Sequence, residues 1–211
     1  MRSPQPVRSK GSLKWIQNLI NNHPQIINSE LGSSSIHWLS PSENDEYAEY
    51  RDGAFLDPLG LSQHIPNLNS FWPKSGPQWD ALGKSPNKYF LVEAKANIAE
   101  TQSSCAAQNP TSIAKIVKAL GITRTALGVA DGKGWLNRYY QYANRLAHLH
   151  FLRSVCGVEA ELVFVYFCND KTHIPTSPDE WKKSLVDQKG FMGLSEIEHV
   201  KEVFIDCHQL A

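Results

Sequence analysis

GPQWDALGKSPNKYFLVEAKAN, residues 76–97, holds two apolar segments around a run of turn-forming residues. Residues 89–92 are an unbroken apolar run, too short for a helix and the right length for a strand buried on both faces. Glu93 and Lys95 follow two positions apart, so in an extended strand they leave on one face while Ala94 points to the other. Residues 78–82 also read as extended. Gly83, Lys84, Ser85, Pro86 and Asn87 carry the turn chemistry that folds one strand back on the other. A hairpin centred on the Pro86–Asn87 bond sets Asp80 opposite Glu93, so two carboxylates and a lysine converge.

The rest of the chain supplies a setting for that hairpin. With 211 residues, 41% of them hydrophobic, it suits a single domain over residues 1–211 with a real core, preceded by a loose basic tail at 1–11. Twenty-one basic residues balance twenty-one acidic ones, which excludes a global field for nucleic acid and requires any such partner to meet a locally basic face. Such a face is expected between residues 101 and 158, where Asp131 is the one acid among Lys115, Lys118, Arg124, Lys133, Arg138, Arg145 and Arg153. Cys105, Cys156, Cys168 and Cys207 are widely spaced without a CxxC pair, which reads as core thiols of a reducing compartment rather than a zinc site. No apolar run reaches membrane-spanning length and the first residues lack the apolar block of a signal peptide, so a soluble, cytoplasmic protein is expected.

In chain order, Ser12 caps a helix with Leu13, Ile16, Leu19 and Ile20 on one face, ending before Pro24. Residues 36–39 read as a short extended piece. A second helix is predicted over 42–56, capped by Ser42 or Asn44, with Glu43, Asp45 and Glu46 in its first turn, Tyr47, Tyr50 and Ala54 inward, and Glu46 and Glu49 flanking that stripe. Residues 67–72 read as extended. Asn109 and Pro110 start a helix carrying Ile113, Ile116, Val117 and Leu120, which Gly121 is expected to stop. A longer helix is predicted over 135–155, Gly157 ends it, and residues 162–168 (LVFVYFC) form a buried strand. Ser177 and Pro178 start a short helix, and residues 203–207 make the last strand. The order predicts an α/β domain, a central mixed sheet flanked by helices.

Asp80, Glu93 and Lys95 suit a hard divalent cation and a water. Carboxylates at the ends of two adjacent strands hold Mg²⁺ or Mn²⁺ through one or two ligands, leaving positions for waters and phosphate oxygens. Such an ion stabilises charge on a phosphoryl group, and the lysine orients a water or offsets negative charge. Alone, a lysine beside two carboxylates is an ordinary salt bridge.

The combination of QWD, a turn-rich connection and VEAK, with an acid-bearing segment before and a basic region after, resembles the PD-(D/E)XK, or restriction-endonuclease-like, nuclease superfamily over about residues 43–168. Trp79 stands where the motif has its proline. The resemblance implies an αβββαβ core with N- and C-terminal additions. It also implies Mg²⁺ or Mn²⁺ ligated by Asp80, Glu93 and the Ala94 carbonyl, with Lys95 serving the attacking water. A further glutamate on the first helix often joins them, and Glu49 is the first choice for it, Glu46 the next.

The expected function is a metal-dependent nuclease hydrolysing phosphodiester bonds in DNA. Lys115, Lys118, Arg138, Gln141 and Arg145, with Asn144 nearby, are the candidate nucleic-acid contacts, and a homodimer is compatible. The alternative is a catalytically inactive nucleic-acid-binding or protein-interaction module on the same fold. No GxSxG nucleophile signature and no Gly-rich phosphate loop occurs, and His148 and His150 do not share a helical face.

Overall fold

The computed structural model of this chain describes residues 1–130 and 134–210; Asp131 and Lys133 of the basic region lie outside them. Its elements are β1 (Arg2–Ser3), α1 (Gly11–Asn22), α2 (Pro24–Glu30), β2 (His37–Ser40), β3 (Glu49–Arg51), α3 (Leu56–Leu59) and α4 (Ile65–Phe71). They continue through β4 (Gln78–Trp79), β5 (Ala81–Ser85), β6 (Lys88–Lys95), α5 (Pro110–Ala126), α6 (Tyr140–His150), β7 (Ala160–Cys168), α7 (Pro178–Met192) and β8 (Val200–Asp206). A mixed five-stranded sheet runs β2-β5-β6-β7-β8, and a three-stranded antiparallel sheet runs β1-β3-β4. Among the described residues no helix is long and apolar enough to cross a membrane.

The β5–β6 hairpin turns at Pro86 and Asn87 and pairs Ala81 with Val92 and Leu82 with Leu91, the register predicted from its turn. Gly83 and Ser85, expected in the turn, continue the strand. A glycine is required at 83, because a Cβ there would lie 2.8 Å from the Trp38 ring of neighbouring β2. β6 then pairs in parallel with β7, and β7 with β8.

Strand periodicity divides the core in two. Phe90, Val92 and Ala94 of β6, with Val163, Val165 and Phe167 of β7, face α1, where Trp15, Ile16, Leu19 and Ile20 meet them. Leu91 of β6 and Leu162, Phe164 and Tyr166 of β7 face the opposite side, toward α5, α6 and α7. Tyr142 of α6 stacks on Phe164 with ring centroids 4.2 Å apart, a contact worth about 0.5–1.5 kcal/mol beyond its buried area. Glu93 and Lys95 share the face of Leu91. They therefore project toward α6.

Several predicted elements take another form. Residues 42–56 are not a helix. Glu43–Asp45 and Asp52–Phe55 are single 3₁₀ turns around strand β3, and Glu46, Tyr47 and Asp52 adopt left-handed backbone angles that interrupt any helix. The acids that suggested a helix start satisfy a short turn equally well. Pairing of Tyr50 with Arg2 on one side and Trp79 on the other takes the backbone into a sheet. The first residues are accordingly not a loose tail, since Arg2 and Ser3 form the outer strand and Arg2 meets Asp45 at 2.8 Å and Glu46 at 2.9 Å. Residues 67–72 belong largely to α4, where Pro66 in the first turn favours a helix. Gly121 does not stop α5; burial of Leu120 and Thr123 on either side carries the helix to Ala126, and left-handed Gly128 follows its end. The helix expected from residue 135 begins at Tyr140, because Arg138 is left-handed and Tyr139 bridges to Ser103. α7 extends to Met192, started by a capping box between Ser177 and Glu180 and closed by left-handed Gly193.

Candidate functional site

A cleft of about 680 Å³ opens where β4 and β5 diverge from the end of β6. One wall is the loop carrying Lys74 and Pro77, the other the segment from Ser103 to Asn109, and the floor holds Glu49, Gln78, Asp80, Glu93, Lys95 and Arg145. The second wall is held against α6, where the Ser103 N–H donates to the Arg138 carbonyl at 2.7 Å and the Gln141 N–H donates to Ser103 Oγ at 2.9 Å.

Four sequence-predicted residues meet on this floor. Asp80 sits between β4 and β5, and its Oδ2 accepts the Ala94 N–H at 2.6 Å. Glu93 is buried; its Oε1 accepts from Lys95 Nζ at 2.6 Å and its Oε2 from Arg145 Nε at 2.6 Å. Lys95 Nζ also donates to Gln141 Oε1 at 3.0 Å. Glu49 arrives on strand β3 rather than on a helix and is buried, its Oε2 accepting from Gln5 at 3.1 Å and from Gln78. Glu46, the second choice for that role, is exposed and pairs with Arg2. The Ala94 side chain points to the opposite core.

The remaining predicted contacts separate. Gln141 and Arg145 turn into the floor, Arg145 with 5% of its side chain exposed and its guanidinium also bonded to the Gln78 carbonyl at 2.8 Å. Arg138 is exposed and donates to Gln102 at 3.2 Å. Lys115 and Lys118 border a different surface depression beside Phe71 and Ile122, away from the carboxylates. No single basic face gathers all five.

Sequence reasoning missed Gln78, and it named Gln141, Asn144 and Arg145 as nucleic-acid contacts without their burial. Gln78 lies two residues before Asp80, a spacing that puts both on one face of an extended strand. On α6, Gln141, Asn144, Arg145 and His148 recur at helical spacing as a polar stripe facing inward. Asn144 accepts from Arg145 Nη1 at 2.8 Å, and His148 Nδ1 donates to the Asn144 carbonyl at 2.8 Å. Burial drives the His148 pKa down to about 3, so it is a neutral core residue. Trp79, at the position of the motif's proline, packs its ring 4.9 Å from the Arg145 guanidinium carbon, a desolvated cation–π contact.

Charge on the floor is unbalanced. Burial raises the carboxyl pKa of Asp80 well above its usual range, and the neighbouring Glu93 and Glu49 charges push it further. Glu49 is raised by burial and by Glu93, against the Gln78 hydrogen bond. Burial acts against ionised Glu93 too, yet Arg145 and Lys95 outweigh it and hold that carboxyl below its usual range. For Lys95, burial disfavours the ammonium, but Glu93 and Asp80 prevail and hold its pKa up. Glu93 is thus the carboxylate balanced by two cationic side chains, whereas Asp80 and Glu49 hold their protons more tightly than usual.

Among the described residues no group of three or more His, Cys, Asp and Glu side chains is arranged to hold a metal ion by itself. A cation of the Mg²⁺ type needs only one or two carboxylates and fills its other positions with water or substrate oxygens, a donor requirement that two carboxylates of this floor would meet. Comparison of the chain with protein-family models, with curated proteins and with solved structures gives no match.

Proposed function

We propose that this chain is a metal-dependent nuclease with a restriction-endonuclease-like core, hydrolysing phosphodiester bonds of DNA in the cleft above Asp80 and Glu93. The observation that carries the reading is the meeting of Glu49, Asp80, Glu93 and Lys95 on one floor from three backbone segments, β3, the β4–β5 junction and β6. The element order supports it as well. α1, then the antiparallel β2-β5-β6 meander, then α6 and parallel β7 give helix, three strands, helix and strand, with α1 in the place first assigned to residues 42–56.

On this reading Asp80, Glu93 and the Ala94 carbonyl hold Mg²⁺ or Mn²⁺, which would polarise a phosphate oxygen and activate water. The chain's own groups do the rest. Arg145 and Gln141 fix Glu93 and Lys95, so the Lys95 ammonium stays charged at the cleft, where its charge can meet negative charge that develops on the phosphate. Gln5 and Gln78 hold one Glu49 oxygen and so fix this side chain in the lining of the cleft.

Incubation with single-stranded, duplex and nicked DNA in Mg²⁺ or Mn²⁺ is expected to give cleavage that EDTA abolishes and that Lys95→Met reduces about 10²-fold or more. No cleavage of any form with either metal ends this reading. Engagement of both Glu93 oxygens by Lys95 and Arg145 favours a second one, a nucleic-acid-binding module without chemistry. Salt-sensitive DNA binding with no cleavage would select it.

A further inference from the structure

A second, small cavity of about 10 Å³ also touches the ion pair, bordered by Glu93, Lys95, Gln141, Tyr142, Tyr166 and Gln188. Gln188 comes from α7, an element that contributes nothing to the cleft floor, and it is 1% exposed. Its Oε1 is buried with no hydrogen-bond partner among the described residues, and so is the Tyr142 hydroxyl. A buried polar group left unsatisfied is costly and rare, so two beside one small cavity require an explanation.

Lys95 supplies it. An ammonium carries three donors, and Lys95 uses two of them, on Glu93 and Gln141. A cavity of this size admits a single water, which needs two to four polar partners. One water there would accept from Lys95 and from the Tyr142 hydroxyl and donate to Gln188 Oε1, giving both unpaired groups a partner with consistent directions.

We propose that Gln188, with Tyr142, is a positioning residue that fixes the Lys95 ammonium through one bridging water. Lys95 is then held on three sides, by Glu93 in its own strand, by Gln141 of α6 and by this water. α7 becomes part of the site's support. The positioning itself is independent of the proposed nuclease activity; only its kinetic consequence rests on that reading.

Two arms test the proposal and keep the failures apart. In ¹⁵N-lysine-labelled protein at one fixed pH, the Lys95 ammonium protons are expected to exchange with solvent about tenfold faster in Gln188→Met than in the wild type. At 1.36 kcal/mol per factor of ten that is about 1.4 kcal/mol, the scale of one lost hydrogen bond. Gln188→Glu keeps an acceptor oxygen and should keep exchange slow, and Tyr142→Phe should accelerate it less. In the cleavage assay Gln188→Met should lower kcat about tenfold with KM unchanged. Unaltered exchange in Gln188→Met or, should that variant not fold, in Tyr142→Phe, overturns the proposal. Altered exchange in a protein that cleaves no DNA upholds it while removing the nuclease reading.

Discussion

Asp80→Asn is expected to raise the melting temperature of the metal-free protein at neutral pH and to lower metal-dependent cleavage by about 10³-fold or more. The opposite signs have one cause. Burial first, and then the neighbouring Glu93 and Glu49 charges, raise the Asp80 pKa well above the usual range. A carboxyl that holds its proton more tightly folded than unfolded stabilises the native state below its folded pKa. That contribution is lost as pH rises through the folded value. Asparagine removes the repulsion, and its carbonyl can still accept the Ala94 N–H that Asp80 Oδ2 accepts at 2.6 Å. Loss of a cation ligand worth several kcal/mol of transition-state stabilisation gives the thousandfold fall, at 1.36 kcal/mol per factor of ten. Melting curves from pH 5 to 9, with and without Mg²⁺, check both halves. Wild-type stability should fall with rising pH through the Asp80 titration, and Mg²⁺ should restore it. Asp80→Asn should be flatter and indifferent to Mg²⁺. A variant less stable than the wild type at neutral pH would show that Asp80 is a structural partner of Ala94 and little else.

Arg145→Met should be among the most destabilising single changes in the chain, costing about 3–5 kcal/mol, because it leaves Glu93 buried with half its compensation. For a domain of this size that is a fall of roughly 6–20 °C in Tm, at about 2–4 °C per kcal/mol. The guanidinium makes four interactions at once, to both Glu93 Oε2 and Asn144, to the Gln78 carbonyl, and over the Trp79 ring. Glu93 is depressed by Arg145 and Lys95 against its burial, so the stability it confers is fully present above its unfolded pKa and is lost as pH falls through the lower folded pKa. The acid limb of the stability profile should therefore shrink in Arg145→Met. Lys182→Ala serves as the surface control. Its pair with Asp179, 66% and 97% exposed, is worth about 0–1 kcal/mol. Equal effects of the two substitutions, measured by urea denaturation, would refute the account of the floor.

The hairpin and its convergent charges were legible because period-2 alternation and a single turn determine a register locally. The same logic explains why Glu93 and Lys95 point to the helical side. Glu49 was legible as a residue but not in its setting. Strand β3 exists only through pairing with residues 2–3 and 78–79, and no local pattern in ENDEYAEYRD announces partners so distant. Arg145 is the instructive case. It lies three residues after Tyr142 and beside Leu146, on the stripe that packs inward, so helical spacing already placed a cation on a buried face. Placing it on a nucleic-acid surface ignored that a buried arginine requires an acid. The cleft wall at 103–109 was unreadable for another reason, since its partner strand is a single bridge to Tyr139.

The central claim is that Asp80 and Glu93 hold one divalent ion beside Lys95. Anomalous diffraction from crystals soaked in Mn²⁺ tests it most directly. The account predicts one strong peak between the Asp80 and Glu93 carboxylates, within coordination distance of the Ala94 carbonyl. Fully soaked crystals with no peak there, and with Glu93 still closed between Lys95 and Arg145, would contradict it.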